Sequence, residues 1–411
     1  MLTLTTGTTI AQAIPIAISP ILTRIYTPDD FGVFALFIAI TSITSIVSTG
    51  RYELAIMLPK KDSNGAHLVA LSVCIAMGMS VIALIFILLF NQSITNYLGK
   101  PEISDWLYFI PLSIFLTGLY QSLNYWSNRK KKYKRLALSR VLQTSSISAV
   151  QIGSGFYLTN TSGLILGDSI GKIVSTGLLT KLVWEEDKKD FNQLSKKKII
   201  SLAKRYKNFP LYDVGASLAN TSAYQIQNIL FPALYGLTSA GHYFLVLRAL
   251  QAPISLINSA ITDVYRQKLT AKQTTPDQLK TYYKKMLYFL FCVGIMPFTL
   301  LTLFSEEFFP FVFGRGWSEA GKYAAILSPM FFIRFIANPL SYFLYLKEKQ
   351  KLNVLAHMFM LGISIVSLYF FKSVHEVVLS ISVGFSIIYM WYIIYAAKLS
   401  GAIIFGARNG R

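Results

Sequence analysis

The chain has 411 residues, of which 53% are hydrophobic and only 14% charged, with a mean hydropathy of +0.48. Soluble domains carry about 25% charged residues, and a chain this apolar cannot clothe itself in a polar skin as one globule in water. The bilayer is therefore its solvent, and the net charge of +20 is first a matter of topology rather than of nucleic acid.

A helix needs about 20 apolar residues to cross roughly 30 Å of hydrocarbon. Twelve such segments are predicted: 3–22, 33–55, 67–90, 106–126, 138–158, 163–183, 209–231, 241–262, 286–304, 322–346, 352–371 and 377–397. The first has no basic segment before it and no small-residue cleavage site, so it reads as a retained span. The fifth is rich in Ser, Thr and Gln between residues 143 and 151, and the seventh carries Asn220, Gln225, Gln227 and Asn228. Such groups are costly against lipid, so both helices are expected to face protein or a wet interior. Cys74 and Cys292 sit inside apolar runs, which argues against a disulfide framework.

Numbering the loops alternately, one set gathers Lys60 and Lys61, the run 129–135, the segments 185–208 and 263–285, 347–351 and the tail. That set holds 28 basic and 8 acidic residues, whereas the other holds 4 basic residues (Arg24, Lys100, Arg315 and Lys372) against 8 acidic ones. By the positive-inside rule both termini are cytoplasmic. The longest linker, 185–208, divides the spans six and six. Its basic half is either a solvated tether or an amphipathic helix lying on anionic lipid. The expected organisation is thus an N-terminal six-helix bundle over 1–184, the basic linker, a C-terminal bundle over 209–397 and a cytoplasmic tail over 398–411. Tyr26 and Gly32 recur as Tyr235 and Gly241 in the equivalent loop of the second half, 209 residues on. This suggests a parallel internal repeat.

Residues 19–62 read SPILTRIYTPDDFGVFALFIAITSITSIVSTGRYELAIMLPKKD. Through Ser19, Pro20, Leu22, Thr23, Arg24, Tyr26, Pro28, Asp30, Phe31 and Gly32, then Arg51, Tyr52, Glu53, Leu58 and Pro59, this stretch resembles the opening of the Wzx-type polysaccharide biosynthesis proteins. These are lipid-linked oligosaccharide flippases of the multidrug/oligosaccharidyl-lipid/polysaccharide (MOP) exporter superfamily. That family places a short basic segment ahead of the first span, and here Met1 stands almost at its start. The resemblance implies an all-α fold of two six-helix bundles forming a V around a central cavity. It implies a substrate, an undecaprenyl-pyrophosphate-linked glycan such as an O-antigen or capsule unit, moved across the bacterial cytoplasmic membrane by alternating access. It also implies the lipid bilayer, a glycan polymerase and the chain-length machinery as partners, with no cofactor and no nucleic acid.

Charges inside spans are candidates for function. At about 1.5 Å per residue, Lys172 lies roughly 14 Å into the sixth span, Arg248 roughly 11 Å into the eighth and Arg334 roughly 18 Å into the tenth. A pyrophosphate needs such donors in a poorly screened cavity; structural ion pairs or capped carbonyls are the alternative. Asp168 precedes Lys172 by four residues on one helical face, so the two form a structural pair, a ligand contact or a proton-linked switch. Arg51, about 27 Å along the second helix, either receives phosphate from the inner leaflet or snorkels, and helical spacing sets it on a different face from Glu53. Arg24, at the outer end of the first span, either assists release or is an ordinary interfacial arginine. Asp213 and Glu53 complete the embedded acids, with Asp168, and are the candidates for ion or proton coupling.

Prolines at 15, 20, 253, 297, 329 and 339 offer points of bending. The four histidines show no metal-ligand spacing, and no catalytic or phosphate-loop motif is present. Two other classes remain in view. A cation-coupled drug exporter of the same superfamily would bind its ion with buried carboxylates, and three embedded acids face seven embedded bases here. A membrane glycan polymerase or glycosyltransferase would place catalytic groups in sizeable outer loops. The longest outer loop here, 305–321, is short and aromatic, with Glu306, Glu307 and Glu319 as its acids.

Overall fold

The computed structural model describes residues 2–157, 160–269, 275–347 and 349–402; the tail beyond 402 lies outside them. Each predicted span corresponds to one long helix. In chain order these are α1 (Leu2–Ile25), α2 (Pro28–Thr44), α3 (Asp62–Leu98), α4 (Phe109–Arg129), α5 (Tyr133–Gly155), α6 (Ser162–Phe191), α7 (Val214–Tyr235), α8 (Leu237–Leu269), α9 (Pro276–Phe313), α10 (Ser318–Leu340), α11 (Gln350–Phe370) and α12 (Val374–Leu399). Six are long and apolar enough to cross a membrane on composition alone, and a seventh qualifies if Pro101–Leu107 and Phe109–Arg129, bent by 46°, count as one span. Exposed Ile82, Ile85, Phe86, Leu88 and Leu89 on α3 show the lipid-facing surface. The remaining long helices fall short because they bury polar groups against each other.

The fifth helix illustrates this. Ser148 and Ser154 donate to the carbonyls four residues back, at 2.7 and 2.5 Å, and the Gln151 amide donates to the Leu164 carbonyl at 3.1 Å. Gly167 and Gly171 of α6 fit against Gln151 and Ile147 with no room for a methyl. Small residues bring α5 and α6 close enough for polar groups to find protein rather than lipid. The same holds in α7, where Gln227 and Asn228 are buried.

The chain divides into two compact units, 1–241 and 242–411. The sequence placed the division at the linker instead. The difference arises because α7 packs along α2, which draws the first helix of the second half into the first unit. The linker also behaves differently from a tether or a lipid-bound strip. Its helix Lys196–Arg205 turns Leu202 into a cluster with Tyr52, Ile56, Val69, Leu123 and Trp126. The Tyr52 hydroxyl donates to the Ala203 carbonyl at 3.0 Å, and the Ser195 amide donates to His67 at 3.1 Å. In the second unit α10 packs on α9 and α12, and α11 packs on α12, around Phe331, Phe335, Leu340 and Phe343.

The opening of α2 is set by local chemistry. Thr27 caps the helix, the Asp30 carboxylate accepts from the Thr27 amide at 2.9 Å, and Pro28 occupies the first turn. Here the two glycines of the suggested repeat meet. A Cβ on Gly32 would lie 2.2 Å from the Leu237 carbonyl oxygen, and one on Gly241 would lie 1.8 Å from the Pro28 carbonyl oxygen. Positions 28 and 32 map onto 237 and 241 by the same offset of 209 residues, as do Asp29 and Thr238, whose side chains are hydrogen-bonded. Equivalent residues thus pack on one another about a local two-fold relation.

Candidate functional site

α2 ends at Thr44, well short of the 33–55 predicted for the second span. The chain then turns through Gly50 (φ +58) and Arg51 (φ 63, ψ 11), both left-handed, into a short helix at Tyr52–Met57. The cluster Ser45, Ser48, Thr49 and Gly50 is the turn chemistry that breaks the helix. The expectation that Arg51 and Glu53 occupy different faces is overturned, because neither lies on that helix. Arg51 Nη1 reaches Glu53 Oε1 at 3.3 Å, and its Nε donates to Asp213 Oδ2 at 2.6 Å. Glu53 is buried and also accepts from the Thr49 hydroxyl. Asp213 closes a wide helical turn at Phe209–Asp213 just before α7, and Ser217 donates to it at 3.5 Å. One arginine is therefore held between two carboxylates.

Lys172 and Asp168 pair along α6, with Nζ to Oδ2 at 2.6 Å and both side chains largely buried. Arg24 is exposed and donates Nη1 to the Pro20 carbonyl of its own helix at 3.1 Å. In the second unit Arg334 stacks its guanidinium 5.4 Å from the Phe331 ring, a cation–π contact. Arg248 is half-buried in α8, and among the described residues no carboxylate pairs with it. All three embedded acids thus have cationic partners, whereas Arg248 has no balancing carboxylate among the described residues.

Two features escaped the sequence reading. Arg140 Nη1 reaches Thr8 of α1 at 2.8 Å, a polar link between spans whose signal was an arginine three residues before Gln143. Arg135, expected in a solvated basic loop, is 4% exposed and pairs with buried Asp187 at 2.7 Å. Asp187 also accepts from the Trp126 indole at 2.9 Å. No local pattern announces that pairing, since its members come from three helices.

The class of protein is set by the helix order: an all-α membrane protein with cations embedded among its spans. The fold is that of the MOP superfamily. A lipid II flippase, MurJ, in an inward closed conformation superposes with a TM-score of 0.74 over 97% of this chain and 88% of the other, at 14% identity. An inward-facing multidrug-resistance MATE transporter gives 0.69 over 96% and 95%, at 13% identity. Residues 21–322 match the model of the polysaccharide biosynthesis protein family, and the chain belongs to that family. Its relatives include an uncharacterized membrane protein in the cps region of Klebsiella pneumoniae, 24% identical over 89% of this chain and 74% of the relative. The lipopolysaccharide biosynthesis protein WzxC of Escherichia coli (strain K12) is 19% identical over 81% and 66%. Fold and family together make the chain an all-α membrane protein of the polysaccharide biosynthesis family with a MOP-type fold.

Proposed function

We propose that the chain moves an undecaprenyl-pyrophosphate-linked oligosaccharide, an O-antigen or capsule repeat unit, from the inner to the outer leaflet of the bacterial cytoplasmic membrane by alternating access. The observation that carries this is Arg248: a half-buried guanidinium in α8 with no balancing carboxylate among the described residues. An uncompensated buried cation is costly, and an anionic headgroup would relieve that cost. Arg334 supplies a second guanidinium in the same unit. Arg51 and Lys172 hold carboxylates that a pyrophosphate can displace, so Glu53, Asp213 and Asp168 act as place-holders for the cargo. Arg24 serves at the outer end.

The basic loops face the cytoplasm, with both termini on that side. The glycan polymerase and chain-length machinery then take up the delivered unit. The pairing of all three embedded acids argues against a cation-coupled drug exporter, which needs a carboxylate available to its ion. The test is a flipping assay in proteoliposomes with a pyrophosphate-linked oligosaccharide. Arg248→Ala and Arg334→Ala are each expected to insert normally and to lose translocation. Wild-type rates in both variants would refute the assignment.

A further inference from the structure

A second cationic pocket lies apart from the residues assigned to cargo. It is about 390 Å³ and is lined by Lys132, Lys134, Arg135, Leu138, Leu182 and Glu186, between the start of α5 and the end of α6. Three observations give it a ligand chemistry. Arg135 is 4% exposed and spends Nη2 on Asp187 at 2.7 Å, yet its Nε and Nη1 have no hydrogen-bond partner. Nη1 stands 3.8 Å from Glu186, too far for a hydrogen bond, and Glu186 is itself engaged by Lys132 at 2.9 Å. Helix α5 opens here with no side-chain cap and no acidic residue in its first turn, so its free amides and positive dipole end add to the field. Lys134 is exposed, and no carboxylate pairs with it among the described residues.

The pocket continues into an apolar wall. Leu138 is 51% exposed one turn further along α5 and Leu182 stands one turn before Glu186 on the same face of α6, while Trp184, between them in sequence, is exposed on another face of that helix. An exposed tryptophan beside lysines is the pattern of a helix end at the headgroup level. Basic pockets between spanning helices on the cytoplasmic side suit acidic lipid headgroups. A soluble phosphate would use the cations and leave the leucine wall idle.

We propose that this pocket binds the phosphate of an anionic phospholipid of the surrounding leaflet, with Arg135 and Lys134 as donors and an acyl chain lying along Leu138 and Leu182. The site is structural or regulatory and separate from Arg248. Only the naming of the leaflet as cytoplasmic rests on the orientation proposed above.

The experiment is lipid retention by the purified full chain, read by native mass spectrometry after exposure to phosphatidylglycerol or phosphatidylcholine, with no cargo present. Wild-type protein is expected to retain phosphatidylglycerol preferentially. Lys132→Gln with Lys134→Gln is expected to weaken retention roughly 25-fold, at about fivefold per lysine. Glu186→Gln removes a repelling carboxylate and is expected to strengthen retention; a gain of binding cannot come from misfolding. Arg135 is left unchanged throughout, because its substitution would break a buried pair. Equal retention of the two lipids, or retention unchanged in the double-lysine variant, overturns the proposal. Displacement of the lipid by millimolar inorganic phosphate overturns the lipid assignment, and failure of phosphate to displace it supports that assignment. Because the readout contains no cargo, its failure leaves the flippase reading standing, and loss of flipping by Arg248→Ala leaves this site standing.

Discussion

Adding one methyl at the crossing of α2 and α8 separates two opposing effects. In Gly241→Ala the new Cβ would sit 1.8 Å from the Pro28 carbonyl oxygen, and real Cβ atoms essentially never come within 3.0 Å of a heavy atom. The backbone must therefore retreat by about 1.2 Å, and the obstacle is a main-chain carbonyl that cannot rotate aside as a side chain would. Overpacking of this kind costs about 1–3 kcal/mol, here at the upper end because the neighbour is backbone. Against it stands the helix propensity of alanine over glycine, worth about 1 kcal/mol. The net expectation is a loss of roughly 2 kcal/mol, and Gly32→Ala, with 2.2 Å to the Leu237 oxygen, should lose a similar amount. Gly78→Ala in α3 is the control, since nothing lies within 4 Å of its Cβ; it should be neutral or slightly stabilised. Thermal unfolding of purified variants measures all three. Cross-linking of Asp29→Cys to Thr238→Cys reports whether the crossing has opened. If both alanine variants unfold with the wild type and cross-link equally well, the close approach is not a feature of the folded protein.

Three further outcomes are expected. Asp187→Ala should cost about 3–5 kcal/mol, because it strands the buried Arg135 charge and removes the acceptor of the Trp126 indole; chemical unfolding in detergent reads this, and Asp187→Asn should lose less. Asp62 stands at the polar start of α3, ahead of the apolar run 67–90, and its carboxyl is held below the usual carboxylate range by hydrogen bonds from Lys130 and then Arg129. A depressed folded pKa stabilises the protein above the ordinary value and loses that contribution as pH falls through the folded one. Asp62→Asn should therefore be less stable than wild type at pH 7, with the gap closing as pH drops below about 4; a gap independent of pH would refute this. In a double-mutant cycle, Arg51→Ala and Asp213→Asn should couple by only about 0.2–1 kcal/mol, since the Asp213 side chain is 39% exposed and screened.

How much was legible depended on the range over which each cause acts. The twelve helices follow from apolar runs, and the capped start of α2 follows from four adjacent residues, so the sequence carries both. The early end of α2 was written in Ser45, Ser48, Thr49 and Gly50, but residues on either side stay apolar and the hydropathy pattern runs straight through the turn. The Asp168 and Lys172 pair was readable because one helix sets both positions. The Arg51 and Asp213 contact joins residues 162 apart, and nothing near either one signals the other. Burial misled at Arg135 for the same reason: a basic run after a span normally lies in water, and only the arrival of α6 with Asp187 encloses it.

Counting embedded charges by sequence alone leaves an excess of cations and suggests that each is open to an anion. Geometry divides them instead. Arg51 and Lys172 are neutralised by carboxylates at 2.6 Å, so an anion reaching them must compete with an existing partner, and the gain is the difference between two pairings. Arg248 has no such partner among the described carboxylates, so an anion there meets a cation whose desolvation is already incurred by folding. Binding energy is therefore expected to concentrate at Arg248, whereas exchange of partners, which is what a moving cargo requires, is expected at Arg51 and Lys172. Removing Arg248 should push the cargo concentration needed for half-maximal flipping beyond the assay's range, so that translocation is lost at concentrations that saturate the wild type. Neutralising Asp168 or Asp213 should instead tighten cargo binding while slowing its release, and a flipping assay that separates the two quantities decides between these roles.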